Sequence, residues 1–202
     1  MERKEHWENI YTTKETTDVG WYQADPKVSM ELILSASPDR GGVVDVGGGA
    51  SLLVDRLLEA GVAKVAVLDI STAALQRAKS RLGDRAARVQ WIVGDVTAMA
   101  SVGSFDVWHD RAVFHFLADP DERRKYVELM TRTIPPGGHL VIGTFALDGP
   151  PRCSGLAVCR YDADMLGREF GSAFQLMKEL PQTHITPRGS PQKFIFGLFR
   201  RM

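Results

Sequence analysis

The 202-residue sequence holds only two cysteines, Cys153 and Cys159, too few for a disulfide framework. It carries no charge excess either: 25 basic side chains face 25 acidic ones, which removes any global attraction to a polyanion and speaks against nucleic acid as a partner. No apolar run approaches the roughly 20 residues a bilayer span requires, so no membrane segment is expected. Internal repeats and low-complexity tracts are missing. The polar opening, Met1 to Asn9, lacks a signal-peptide pattern, and with the sparse thiols this suggests a cytoplasmic setting. Metal-binding spacing is also wanting: His109 and His115 are not i, i+4 partners, and the cysteines form no close C-x₂₋₄-C pair, so no metal site is expected. What remains, 44% hydrophobic and 25% charged residues, describes one soluble globular domain over 1–202, long enough to bury about 70% of its unfolded surface without staples.

Short apolar runs alternate with longer amphipathic ones, the pattern of an α/β domain built from crossover units. Strands are expected at Val43–Val46, Lys64–Leu68, Val89–Val93, Phe105–Trp108 and Leu140–Phe145, their Val, Ile and Leu content suiting strands covered on both faces. Helices are expected at Ser51–Ala60, Ser71–Leu82 and Asp121–Thr133, with Gly61 and Gly83 as stops after the first two. Phe174–Glu179 and Lys193–Phe199 read as a closing antiparallel hairpin, because no helix long enough for a parallel crossover is evident between them. The first 40 residues, with a helix from about Pro26 to Ser35 and the aromatics Trp7, Tyr11, Trp21 and Tyr22, form an N-terminal helical lid ahead of a core over 41–202. Those aromatics either staple the extension to the domain or roof a ligand cleft.

The run Val43-Val44-Asp45-Val46-Gly47-Gly48-Gly49-Ala50-Ser51 stands directly between a buried strand and a helix. Its glycines let the backbone turn tightly and approach a ligand, and the helix start offers free N–H groups. Asp69 ends the next strand, about 20 residues on, where a carboxylate accepts hydrogen bonds from both hydroxyls of a ribose. The pair points to an adenosine-containing cofactor.

Asp45 through Ser51 resembles the first motif of class I S-adenosylmethionine-dependent methyltransferases, an acid preceding a Gly-x-Gly-x-Gly turn, with Ser51 at the third glycine position. The resemblance implies a Rossmann-like, seven-stranded, mostly parallel sheet with an antiparallel C-terminal strand. It implies S-adenosylmethionine as cofactor, held by Asp45, Gly47, Gly48, Gly49, Ser51, Asp69 and Ile70. Gly94-Asp95-Val96 is similar to the segment in which Asp95 meets the adenine amine and the backbone of Val96 the ring. Phe105 to Asp110 resembles the fourth motif, whose end, at His109, flanks the reactive methyl. Trp7, Tyr11 and Trp21 complete the cofactor set from the lid.

Methyl transfer needs in-line alignment, exclusion of water and the handling of a proton. Within Trp108 to Leu117, His109 or His115 is the expected general base, and Asp110 or Arg111 orients an acceptor. The same stretch resembles thiopurine-type S-methyltransferases, which implies a small molecule methylated on sulfur, nitrogen or oxygen. The N-terminal aromatics are similar to those of protein-lysine methyltransferases, which makes a protein lysine the alternative acceptor. A nicotinamide-dependent dehydrogenase would place a glycine where Leu52 stands, and a non-catalytic nucleoside binder would not require the full set of glycines and acids. The sequence leaves open monomer or dimer.

Overall fold

A computed structural model describes residues 3–202. Five parallel strands run from one edge of the sheet: β1 (Gly42–Val46), β2 (Lys64–Asp69), β3 (Val89–Val93), β4 (Val107–Arg111) and β5 (His139–Phe145). Two longer strands, β6 (Phe174–Ile185) and β7 (Pro191–Arg201), pair antiparallel with each other, and β7 pairs antiparallel with β5. The described residues thus make a seven-stranded sheet in the order β3-β2-β1-β4-β5-β7-β6. Strand order reverses between β1 and β4, and the crevice outside their carboxyl ends is where such sheets bind ligands.

Alternation along the strands feeds two cores. Val43, Val65, Val107 and Val141 face helices α2 (Lys27–Ala36), α3 (Leu53–Glu59) and α4 (Thr72–Leu82). Val44, Ala66, Trp108 and Leu140 face α5 (Pro120–Thr133) and α6 (Ala163–Phe170). Ser71 caps α4 by accepting from Ala74 N–H, and the helix stops at Gly83, whose φ of +57° suits glycine. Asp119 caps α5, with Pro120 in its first turn where the missing N–H costs nothing.

Three expectations need correction. The N-terminal lid is smaller than 1–40: α1 (Arg3–Thr13) lies over the cleft, but α2 buries Leu32 and Ile33 in the core and belongs to a helical layer. Helix α6, between β5 and the hairpin, is absent from the sequence reading because its short span contains Gly167; Asp162 caps it through Met165 N–H. Strand β4 begins and ends later than Phe105–Trp108, reaching Arg111, and this changes the site.

Candidate active site

A cleft over the carboxyl ends of β1, β2 and β4 holds about 760 Å³ of open space counted to its mouth, within the usual size of a small-molecule or cofactor site. Its floor is Val46, Gly47 and Leu68. One end is closed by Asp69, Ile70, Asp95 and Val96, and the other by Arg111, Ala112, Phe116 and Cys153. The roof is Arg3, Trp7, Tyr11 and Trp21. Apolar surface dominates, with polar groups at the ends.

Gly47 sits at φ +67°, and a Cβ there would collide with the side chain of Val113, so this turn needs glycine for both conformation and space. Asp69 is 6% exposed; its Oδ1 accepts from Ser71 N–H at 2.8 Å, while no hydrogen bond to Oδ2 is found among the described residues. Burial, with Asp45 and Glu8 adding like charge, raises its pKa to about 7 against backbone hydrogen bonds from Ser71 and Ile70. A desolvated carboxylate on a residue that lines the cleft fits the hydroxyl pair of a ribose. Ile70 and Val96 give apolar surface beside it, and Asp95 Oδ1 is already occupied by Thr97 N–H and Oγ1 at 2.8 and 2.7 Å.

Of the residues expected to hold cofactor, Trp7, Tyr11, Trp21, Gly47, Asp69, Ile70, Asp95 and Val96 all line this cleft. Asp45, Gly48, Ser51 and His109 instead border a smaller adjoining pocket, and Gly49 lies buried against Asp69 and Tyr11.

The expected bases are not brought to the cleft. Successive residues of a strand point to opposite faces, so extending β4 through Arg111 buries both His109 and Asp110. His109 turns toward α2, its Nδ1 2.7 Å from Asp45 Oδ1 and its Nε2 2.9 Å from Ser29 Oγ, and it fastens β1, β4 and α2 together. Asp110 turns toward α5, accepting from Val113 N–H at 2.8 Å, Phe114 N–H at 3.0 Å and the Tyr126 hydroxyl at 2.6 Å. Trp108 Nε1–H in turn donates to Tyr126 at 2.8 Å. Every bond of this network serves the fold. His115 is fully buried, accepts from Phe145 N–H through Nδ1, and is held by burial at a pKa of about 3, so it is a neutral packing residue. Arg111 alone of the four reaches the cleft.

The roof depends on residues without any sequence signal. Glu8 accepts from Ser71 Oγ at 2.8 Å and from Ala73 N–H at 3.1 Å, so α1 caps the start of α4 across 63 residues of chain. Arg77 donates to the Lys14 carbonyl at 2.7 Å, and Arg3 reaches Glu122 at 2.6 Å and Asp95 at 3.4 Å. Trp7 packs edge-on against Trp21 and Phe116, with centroids 5.6 and 5.0 Å apart. The aromatics therefore staple the extension and roof the cleft at once.

Fold and site resemble those of class I S-adenosylmethionine-dependent methyltransferases, and a family match carries the resemblance over part of the chain. Residues 43–138 match a family described as a methyltransferase domain, the span from β1 to the start of β5. Nodulation protein S of Rhizobium tropici is 30% identical over 115 residues, 57% of this chain and 48% of that protein, so the chain spans about half the length of this curated relative. Among solved structures, the N-methyltransferase NodS of Bradyrhizobium japonicum in complex with S-adenosyl-L-homocysteine superposes with a TM-score of 0.74 at 17% identity, over 99% of each chain. The glycopeptide N-methyltransferase MtfA complexed with S-adenosylmethionine gives 0.68 at 16% identity, over 91% of this chain and 97% of its own. At these identities the structural matches speak for the fold.

Proposed function

We propose that the protein transfers the methyl group of S-adenosylmethionine to a heteroatom of a small-molecule acceptor held beneath the Trp7–Trp21 roof. The observation that carries this reading is Asp69, a buried carboxylate that lines the cleft beside a turn that only Gly47 permits. Asp69 would hold the ribose, Ile70 and Val96 the adenine faces, and the turn after β1 the amino-acid arm. The bound cofactor supplies an activated electrophilic methyl, so the chain need only align the nucleophile and keep water out.

The residues at the far end of the cleft agree with that modest demand. His109, Asp110 and His115 are engaged in the core, and burial raises the Cys153 thiol above its ordinary pKa. The acceptor end therefore offers apolar walls and a cation but no free carboxylate or imidazole among the described residues lining it. Such an end suits an acceptor that enters already nucleophilic, a neutral amine or a thiolate. A lysine side chain, ordinarily protonated up to about 10.4, has nothing there to take its proton. Relatives described as N-methyltransferases favour nitrogen as the methylated atom. Titration calorimetry with S-adenosylhomocysteine tests the cofactor half of the proposal, with Asp69→Asn as control. Unaltered affinity in the variant would overturn the ribose assignment.

A further inference from the structure

We propose that Arg111 is the anchor for an anionic group on the methyl acceptor, which makes the acceptor a small, largely apolar molecule bearing a carboxylate or comparable oxyanion. The inference rests on the methyltransferase reading above and concerns the half of the cleft that the cofactor motifs do not describe.

The guanidinium of Arg111 is half satisfied. Its Nη1–H donates to the Trp21 carbonyl at 2.9 Å, and its Cζ stands 4.7 Å from the centre of the Phe194 ring, which fixes the plane of the group. Nε and Nη2 are buried and have no partner among the described residues. These two N–H groups form one edge of the guanidinium fork, the edge that grips both oxygens of a carboxylate at once. No carboxylate lies within ion-pairing distance of Arg111 among the described residues; Asp45, the acid nearest in influence, is held by His109. Around it stand His115, His184 and Cys153: His115 is a neutral packing residue, the pKa of His184 is lowered by burial and by Arg111, and that of Cys153 is raised by burial. Arg111 remains charged, since burial lowers its pKa only to about 10.

A buried cation with an orphaned two-donor edge is costly to a fold, and it persists where a ligand completes it. Local backbone points the same way. Ala112, the next residue, sits at φ +73°, a left-handed conformation unfavourable for a residue with a Cβ, and it also lines the cleft. The strained step ends β4 at this point, directly after Arg111. The walls nearest Arg111, namely Trp21, Phe116 and Cys153, are apolar or weakly polar, so the matching molecule is a flat or aliphatic body with one anionic end.

The test uses the full chain saturated with S-adenosylhomocysteine, with benzoate and its uncharged isostere benzamide as probes, and thermal shift and calorimetry as readouts. Benzoate should raise the melting temperature of the loaded wild type and benzamide should not. Arg111→Met should abolish the benzoate response, and Arg111→Lys, which keeps the charge but loses the fork, should weaken it about tenfold. Equal responses to benzoate and benzamide, or a benzoate response that survives in Arg111→Met, overturns the proposal. So does a loss of S-adenosylhomocysteine affinity of about tenfold in Arg111→Met with 5′-methylthioadenosine unaffected, because the anion held would then be the cofactor's own carboxylate. Failure of S-adenosylhomocysteine to bind the wild type refutes the methyltransferase reading itself and is seen before any probe is added.

Discussion

The carboxyl ends of β2 and β4 each present a buried aspartate at the rim of the same crevice, and the two have opposite fates. Asp69 lines the cleft and accepts only from the backbone next to it; Asp110 has three donors, one of them the Tyr126 hydroxyl, and does not line the cleft. Burial raises both pKa values, to about 7 and about 6 respectively. Desolvation alone therefore does not distinguish a ligand-binding acid from a structural one. The difference lies in whether the chain itself has used the lone pairs.

The sharpest way to break this contrast is to remove each carboxylate. Asp110→Ala strands Val113 N–H, Phe114 N–H and the Tyr126 hydroxyl in the core, so it should cost about 3–5 kcal/mol of stability, read as a shift in denaturant midpoint with unchanged slope. A loss below about 1 kcal/mol would mean that the network is dispensable and the comparison false. Asp69→Asn should not destabilise the fold but should weaken S-adenosylhomocysteine binding by about 1.5–3 kcal/mol, the range of a hydrogen bond to a charged group.

Titration separates the two aspartates further. The Asp69 pKa of about 7 lies above its ordinary 3.8, so the folded state keeps a proton that the unfolded chain loses between those values. Its effect is thus a destabilisation that grows as pH rises through this window and is complete above about 7. Asp69→Asn removes that titration, and Asp110 remains in both proteins and cancels. The variant should therefore gain melting temperature over the parent at pH 8 and much less at pH 5, by roughly 2–4 °C for each kcal/mol. A gap independent of pH would show that Asp69 is not desolvated as the geometry requires.

What the sequence disclosed follows the same division. That Gly47, Asp69 and Asp95 meet at one crevice was legible because each stands at the end of a buried strand or in the turn just after it. His109 is not brought to the cleft because β4 runs three residues past Trp108, which sets His109 and Asp110 on the two covered faces of the sheet, and no local propensity marks that boundary. Asp110 and Arg111 stand side by side in sequence as candidates to orient an acceptor, but strand alternation sends the two side chains to opposite faces. Glu8 and Arg3 were illegible for another reason, since their partners lie 63 to 119 residues away and only the tertiary fold selects them.

The smallest effect concerns the roof, which unlike the sheet floor is fastened by a few polar contacts. Glu8 supplies a side-chain cap to α4 from another helix, and a lost cap costs typically about 1 kcal/mol, within a range of roughly 0.5–2. The backbone it caps also carries Ser71 N–H, which holds Asp69 Oδ1 in place, so the effect should reach cofactor binding. Glu8→Ala should weaken S-adenosylhomocysteine binding by about three- to tenfold and accelerate amide exchange in α1 while leaving β1 and β4 protected. Glu8→Gln keeps an acceptor oxygen and should recover most of the loss. If Glu8→Ala instead loosens exchange across the central strands as well, the roof is part of the core, and the separation between a rigid floor and a lightly held cover does not apply to this protein.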